Sequence, residues 1–435
     1  MSNFTTLPAF LPIDIGKNVH WFAVLVGYDL TPLITPRKVR SNQEGCAEIV
    51  AVLDQLLFRG LYHPVVPGLE STGIYHEGLA RALHERYADR RAPDAQPRLD
   101  FRFLNPLVVK RQRDVLSGAR PRKTDRIDLD AIAICLRDGQ GYPAALPTAD
   151  ELPFVLWARD YRATQRQRRR LEVRLLSQID QLWPGLLVNV QRFRKMHPEL
   201  EAPVPLVHSK PLERRSIQAI LRHCPNPHDF LALGQQGIQA FFRQHVGRCG
   251  PKTAGRAWAI VSEALLVPDD IAQLLAAQLQ ADALAFFDLL AHIEALEQQA
   301  DILVPHSPAA VLVTVPGISA RLAARYLAYL RHHRRFLDAA EIWAFAGFDL
   351  VTEESGDFRR LGKITKKGHP GLRDTLYLIG YHVAKHVPQI ARTKAKARQR
   401  GLGAVGATLH AAHRVNRILF RMLVDQAPFD PDRLR

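Results

Sequence analysis

Four acids and one serine stand out among the residues that could do chemistry. Asp14 sits inside an apolar run, between Ile13 and Ile15. A carboxylate there is costly to bury unpaired, so it either ligates a cation or makes a hydrogen-bonded structural contact. Glu70 closes another apolar run, just before Ser71-Thr72-Gly73, and the carboxyl ends of sheet strands are where α/β proteins build sites. Asp125 and Asp128 stand three apart in a helical pattern and share a face. Two neighbouring acids repel, and a cation compensates them. Hard carboxylate oxygens suit Mg²⁺ or Mn²⁺, and two such ions can flank one scissile phosphate. Ser355 lies in EESGDFRRLGKITKKG, followed by Arg359, Arg360, Lys363, Lys366 and Lys367, with Arg373 beyond. It is either a turn serine on a basic loop or a nucleophile facing a phosphate.

The elements that must position these residues can be read in outline. The stretch FLPIDIGKNVHWFAVLV is two apolar runs around a Gly-Lys-Asn turn, the pattern of a β-hairpin that carries Asp14. HPVVPGLEST reads as a strand ending at Glu70, residues 75–87 have helical spacing, and FRFLNP is a short strand stopped by Pro106. KTDRIDLDAIAICLRDG reads as a helix with Thr124 as cap and Gly139 as stop. Arg120, Arg122 and Lys123 just before it form a basic rim. Residues 1–150 are therefore expected to be one α/β domain.

From about residue 153 the composition changes. Residues 159–174 hold seven arginines against two acids, and Leu171, Leu175, Ile179 and Leu182 form a stripe that ends at Trp183-Pro184-Gly185. Leu275, Leu279, Asp282, Phe286, Leu289, Ile293, Leu296, Ala300 and Leu303 alternate spacings of four and three, a heptad seam with one polar member. Residues 151–305 thus read as a helical, coiled-coil-forming middle, with a segment at 196–255 that shows no motif. Such a seam serves either a partner helix in an assembly or packing within its own domain. Residues 306–435 read as mainly helical around a polar basic loop. VPGISARLAARYLAYL is similar to a helix-hairpin-helix turn, where Pro316-Gly317 lets backbone amides approach a phosphate. Between Thr375 and Val424 there are nine Lys or Arg and no acid, as on a nucleic-acid face.

The bulk properties agree with a polyanionic partner: 435 residues, 47% hydrophobic, and a formal net charge of +16. The four cysteines (Cys46, Cys135, Cys224, Cys249) are dispersed, which suits a reducing cytoplasm better than a disulfide framework. His223, Cys224, His228, His245 and Cys249 lie near one another but match no common zinc spacing, and Pro225 and Pro227 interrupt them. The N-terminus lacks the pattern of a signal peptide, and no run of about 18 uninterrupted apolar residues predicts a membrane span.

A strand Asp, a strand-end Glu and two helical Asps, in that order, follow the plan of RNase H-like nuclease sites. DIGKNVH also resembles the first phosphate loop of the sugar-kinase and actin-like fold. That fold needs a second Gly-rich loop after an Asp-bearing strand, and GLGAVGAT (401–408) follows a basic stretch instead.

The assembled motifs resemble the DEDD-type transposases of bacterial insertion sequences, which act as bridge-RNA-guided DNA recombinases. IDIGKNVHWFAVL, LESTGIYHEGLARAL and LNPLVVK…KTDRIDLDAIAIC are similar to the family's three N-terminal motifs. VPGISARLAARYLAYL and FAGFDLVTEESGDFRRLGKITKKGHPGLRDTLY are similar to its C-terminal transposase domain. The resemblance spans residues 9–140 and 311–385; the helical middle matches only in character, and residues 196–255 look like an insertion. It implies a RuvC-like domain whose Asp14, Glu70, Asp125 and Asp128 bind Mg²⁺ or Mn²⁺, and a C-terminal domain whose Ser355 is the nucleophile. It further implies donor and target DNA and a structured noncoding guide RNA as partners. A composite site in a homo-oligomer, a dimer or tetramer, is implied as well, within the cytoplasm of a bacterium at its nucleoid. Arg359, Arg360, Lys363, Lys366, Lys367 and Arg373 are the candidates for nucleic-acid contact. Two other readings share part of the pattern: a metal-dependent junction resolvase that uses water, and a non-enzymatic nucleic-acid-binding protein.

Overall fold

The computed structural model describes residues 7–434 apart from 59, 72–73, 92–94, 96–97, 119–123, 145, 332, 356–357 and 366–367, and without the side chains of 91, 334 and 350–363. The chain divides into two compact units, Met1–Thr148 and Ala149–Arg435.

The first unit is built on β1 (Leu7–Ile15), β2 (Val19–Val26), β3 (Thr31–Arg40), β4 (Tyr62–Glu70), β5 (Arg102–Leu104) and β6 (Tyr142–Pro143). Its helices are α1 (Gln43–Phe58), α2 (His76–Arg86), α3 (Pro106–Ser117) and α4 (Asp125–Arg137). The sheet order is β3-β2-β1-β4-β5-β6; β1–β2–β3 is an antiparallel meander, and β1, β4 and β5 run parallel. This mixed order is the RNase H-like one. The hairpin predicted around Asp14 is β1–β2, and both short strands and both helices predicted in this region are present.

Strand alternation sorts the side chains of β1 between two cores. Ala9, Leu11 and Ile13 pack with Ile49, Leu53 and Leu56 of α1. Phe10 packs with Val66, Leu104 and the Ile132, Cys135 and Leu136 side of α4. α4 approaches β4 closely at Gly68, where an added Cβ would collide with the Leu136 methyls.

The second unit is mainly helical. It comprises α5 (Leu152–Leu182), α6 (Val190–Met196), α7 (Arg215–His223), α8 (Pro227–Ala232), α9 (Gly234–Val246), α10 (Pro251–Ser262) and α11 (Asp269–Leu303). These are followed by α12 (Ala320–Leu330), α13 (Ala339–Phe345), the hairpin β7 (Leu350–Ser355) and β8 (Phe358–Ile364), α14 (Pro370–His386), α15 (Pro388–Gln399) and α16 (Ala404–Asp425). The motif-free 196–255 segment is thus largely helical. Its Ile217, Ile220, Phe230 and Phe242 form a core with Leu175, Ile179 and Leu182 of α5 and Leu279 and Phe286 of α11.

The heptad seam of α11 is filled by the chain's own α5, which runs antiparallel to it. Trp157 Nε1 donates to the Leu296 carbonyl at 2.7 Å. The seam's polar member, Asp282, accepts from Gln178 at 2.8 Å and pairs with Arg174 at 2.8 Å. Among the described residues, Asp269–His306 is the one segment long and apolar enough, by length and composition, to cross a membrane. Part of its apolar surface lies in two helical cores, with residues from Ala272 to Phe287 in one and residues from Ile293 to Ala300 in the other.

A further core joins Phe154 and Trp157 of α5, Ile293 and Leu296 of α11, and α12, α14 and α16. Within it, the Tyr326 hydroxyl donates to Asn416 at 2.9 Å, and the Asn416 amide donates to the Ala339 carbonyl at 2.7 Å. Gly317, with φ of +97°, lies against α14, where an added Cβ would stand 2.9 Å from the His382 backbone. The absent side chain at Gly317 therefore permits close packing on α14.

Candidate active site

Asp14 and Glu70 arise from adjacent parallel strands in matched register. Ile13 of β1 stands opposite Leu69 of β4, so the next residue of each strand is one of the two acids. By the two-residue period, Asp14 follows Phe10 and Pro12 onto the α4 side of the sheet, and Glu70 follows Val66 and Gly68 onto that same side. The backbone around Glu70 is tied on its other flank. Glu70 pairs with Leu104 of β5, the Ser71 amide donates to the Leu104 carbonyl at 3.2 Å, and the Ser71 hydroxyl lies 3.1 Å from that of Tyr142.

α4, which packs on this face through Ile132, Cys135 and Leu136, carries the remaining two acids in its first turns. Thr124 caps it, its hydroxyl accepting from the Ile127 amide at 3.3 Å, as its position before the apolar pattern predicted. Gly139 follows the helix with φ of +68°. Asp125 is the first residue of α4 and is exposed; Asp128, one turn on, is buried at 4% exposure. Both acids gain from the amide end of the helix. The Asp128 carboxylate pairs with the Arg113 guanidinium of α3, and α3 is itself anchored by Asn105, whose side chain accepts from the Leu107 amide at 2.9 Å. Asp130, two residues on, is raised above the usual carboxylate range by burial, with Arg126 opposing the shift.

Arg113 is the neighbour of Asp128 that the sequence did not single out. It is one of several basic residues in VVKRQRD, and only the packing of α3 on α4 selects it. Among the described residues, no three His, Cys, Asp or Glu side chains stand close enough to hold a metal ion. The donor chemistry nevertheless suits a hard divalent cation: Asp14 and Glu70 stand side by side on one sheet face, and in this arrangement the Arg113 guanidinium supplies the charge that compensates Asp128.

Ser355 belongs to the second unit, whereas the four acids belong to the first. The expected loop around it is a β-hairpin. Ser355 ends β7 and pairs with Phe358, while Glu354 stands opposite Arg359 and Glu353 opposite Arg360. Lys363 is in β8, opposite Val351. Lys366 and Lys367 lie outside the described residues, as do Arg120, Arg122 and Lys123. Arg373, in α14, donates through Nη1 to the Ala346 carbonyl at 2.8 Å. Of the His and Cys group at 223–249, His223 and His245 stack with ring centres 4.0 Å apart, and His228 Nε2 lies 2.8 Å from the Val267 carbonyl.

An RNase H-like sheet with acids on its central strands, followed by a mostly helical region, defines the chain as a transposase of the DEDD class once it is set beside known families. Residues 11–184 match a family described as transposase, the DEDD type of IS110, and residues 309–396 match the transposase IS116/IS110/IS902 family. The two matched segments together take in more than half of the sequence, and the chain belongs to the IS110 family of transposases. It is 24% identical over 431 residues to the insertion element IS110 uncharacterized 43.6 kDa protein of Streptomyces coelicolor, an alignment covering 96% of this chain and 94% of that protein. The family implies an enzyme of DNA transposition that acts on DNA.

Proposed function

We propose that this chain cuts and rejoins DNA strands for an insertion sequence, with Ser355 as nucleophile, a Mg²⁺ site at Asp14, Glu70, Asp125 and Asp128, and a noncoding bridge RNA as guide. The observation that carries this reading is the β1–β4 register, which sets Asp14 beside Glu70 on the face that α4 covers with Asp128. Mn²⁺ is expected to substitute for Mg²⁺. Bound there, such a cation would favour deprotonation of a nucleophile and neutralise charge on the phosphate.

The chain's own residues supply the positioning. The paired strands fix Asp14 and Glu70, the Thr124 cap fixes the first turn of α4, and Arg113 compensates the buried Asp128 when its charge is not otherwise met. Ser355 loses its hydroxyl proton as its oxygen bonds to phosphorus, while one phosphoester bond of the strand breaks and the departing oxygen takes up a proton. One phosphoester replaces another, so reversal with a new strand end rejoins DNA without ATP. Arg359, Arg360, Lys363, Lys366, Lys367 and Arg373 hold backbone phosphates. Ser355 and the acids belong to different units, and the reading includes, as the family resemblance implies, an oligomer in which one copy's serine joins another copy's acids.

Base pairing between the RNA and both DNAs then carries most of the sequence recognition, as in other guided systems. The test is to supply donor and target DNA with or without RNA transcribed from the DNA flanking the coding region. Recombinant product is expected only with RNA and a divalent cation. Equal product without RNA would remove the guide from the account.

A further inference from the structure

The arginine-rich stretch at 159–174 is not used by the acidic site, and in the fold it becomes one wall of a cavity. This cavity, about 490 Å³ and open to solvent on one side, is bounded by α5, α12 and the start of α14. Arg162, Arg166, Arg168 and Arg169 line it from α5, and Arg321 and Arg325 from α12. Among the described residues of its lining, Asp374 is the one acid.

Three of the six arginines are already paired: Arg168 with Glu172 at 3.4 Å, Arg321 with Glu297, and Arg325 with Asp374 at 2.6 Å. Arg162, Arg166 and Arg169 form no ion pair or hydrogen bond among the described residues. They recur at four and three residues, on one stripe of α5 about 10 Å long. Arg325 is 9% exposed, and its buried Nε has no hydrogen-bond partner among the described residues. Holding these cations together is unfavourable without a counter-charge. Arg162 is shifted below the usual guanidinium range by burial and by Arg166 and Arg325, with Tyr329 and Asp374 opposing the shift.

The start of α14 adds a helix amino end. Gly371 lies under Tyr329, whose ring an added Cβ would meet at 2.7 Å. The cap residue His369 accepts the Leu372 amide through Nδ1 at 3.0 Å, and burial lowers its pKa to about 4.

We propose that this cavity is a binding site for the phosphodiester backbone of a nucleic acid strand, separate from the acidic face of the first unit. The fork-shaped donors of arginine match phosphate oxygens. A stripe about 10 Å long can meet about two or three phosphates of one strand. The site needs no divalent cation and no strand cleavage, so it is testable even if the acidic-site reading fails.

The experiment measures binding of the full-length protein to labelled single-stranded RNA, single-stranded DNA and duplex DNA in EDTA, across a range of salt. It compares wild type with the triple variant Arg162→Gln, Arg166→Gln, Arg169→Gln. Arg170→Gln, also on α5 but outside this cavity, is the control. The triple variant should bind at least one probe roughly 10- to 100-fold more weakly, with the salt slope reduced by about 2 to 3, while the control keeps both. Loss confined to RNA identifies a guide strand as the occupant, loss confined to DNA identifies a substrate strand, and loss on all three identifies a general backbone site. Thermal melting checks the fold. If the triple variant melts early, the double variant of exposed Arg166 and Arg169 replaces it, with a slope reduced by about 1 to 2. Unchanged affinity and slope on all three probes in a folded variant would overturn the proposal.

Discussion

The acidic face of the first unit and the arginine cavity of the second are opposite in charge and differ in how they are built. The acids sit on a sheet, where backbone hydrogen bonds between β1, β4 and β5 set register and the two-residue period sets the face. The arginines sit on helices held by side-chain packing, with Phe154 and Trp157 of α5 in one core with Leu322 of α12 and Leu372 of α14. The sheet gives a rigid frame for a few charges whose spacing matters. The helices give a longer cationic stripe, suited to an extended polyanion. On the proposed reading, the first region serves bond breaking and the second serves strand holding.

The largest expected effect separates these two roles. Asp14→Asn removes a carboxylate but keeps its shape. It should lower DNA cleavage by at least about a hundredfold, since catalytic cations contribute several kcal/mol, and leave nucleic-acid affinity in EDTA unchanged. A cleavage assay and a binding titration on the same protein check both halves.

Gly68→Val tests whether α4 must lie directly on β4. The new side chain would collide with Leu136 and should cost about 1–3 kcal/mol of stability, as overpacking does. Cleavage should fall in protein still folded, because α4 carries Asp125 and Asp128. Urea melts and cleavage rates read the two effects.

In the second unit, Asn416→Leu strands the buried Ala339 carbonyl and leaves the Tyr326 hydroxyl without its acceptor. A loss of about 1–3 kcal/mol is expected in urea melts, with less effect on cleavage per folded molecule than Gly68→Val.

The smallest effect concerns His369. Its folded pKa of about 4 lies below the ordinary 6.5 because burial, aided by Arg162, Arg331, Arg373 and Arg335, disfavours the charged ring. The unfolded chain therefore binds more protons between these values. The stabilising contribution is complete above pH 6.5 and is lost as pH falls towards 4. His369→Asn retains a capping acceptor and should flatten that part of the stability–pH curve, measured by urea melts at several pH values.

Much of the first unit was legible in the sequence. Ile-Asp-Ile, the Gly-Lys-Asn turn and the Thr124 cap are local signals, and each corresponds to an observed strand, turn or cap. Sheet order and the Arg113–Asp128 pair were not legible, because both depend on residues brought together from distant positions. In the second unit, the heptad seam of α11 was visible but its occupant was not. A seam has the same spacing whether a partner chain or α5 fills it. The individual helices of 215–262 were not legible within the helical middle because each is short, from 6 residues in α8 to 13 in α9, too few turns for a clear stripe between Pro and Gly breaks. Around Ser355 the density of charge obscured the strand pairing that makes the segment a hairpin.

The most direct test of the central claim is to trap the reaction on DNA with guide RNA and Mg²⁺, then isolate protein covalently joined to DNA and map the joined residue. The account predicts a phosphoester at Ser355 in the wild type and no adduct in Ser355→Ala or Asp14→Asn. Normal cleavage by Ser355→Ala, with no adduct in the wild type, would contradict it and leave a water-using nuclease in its place.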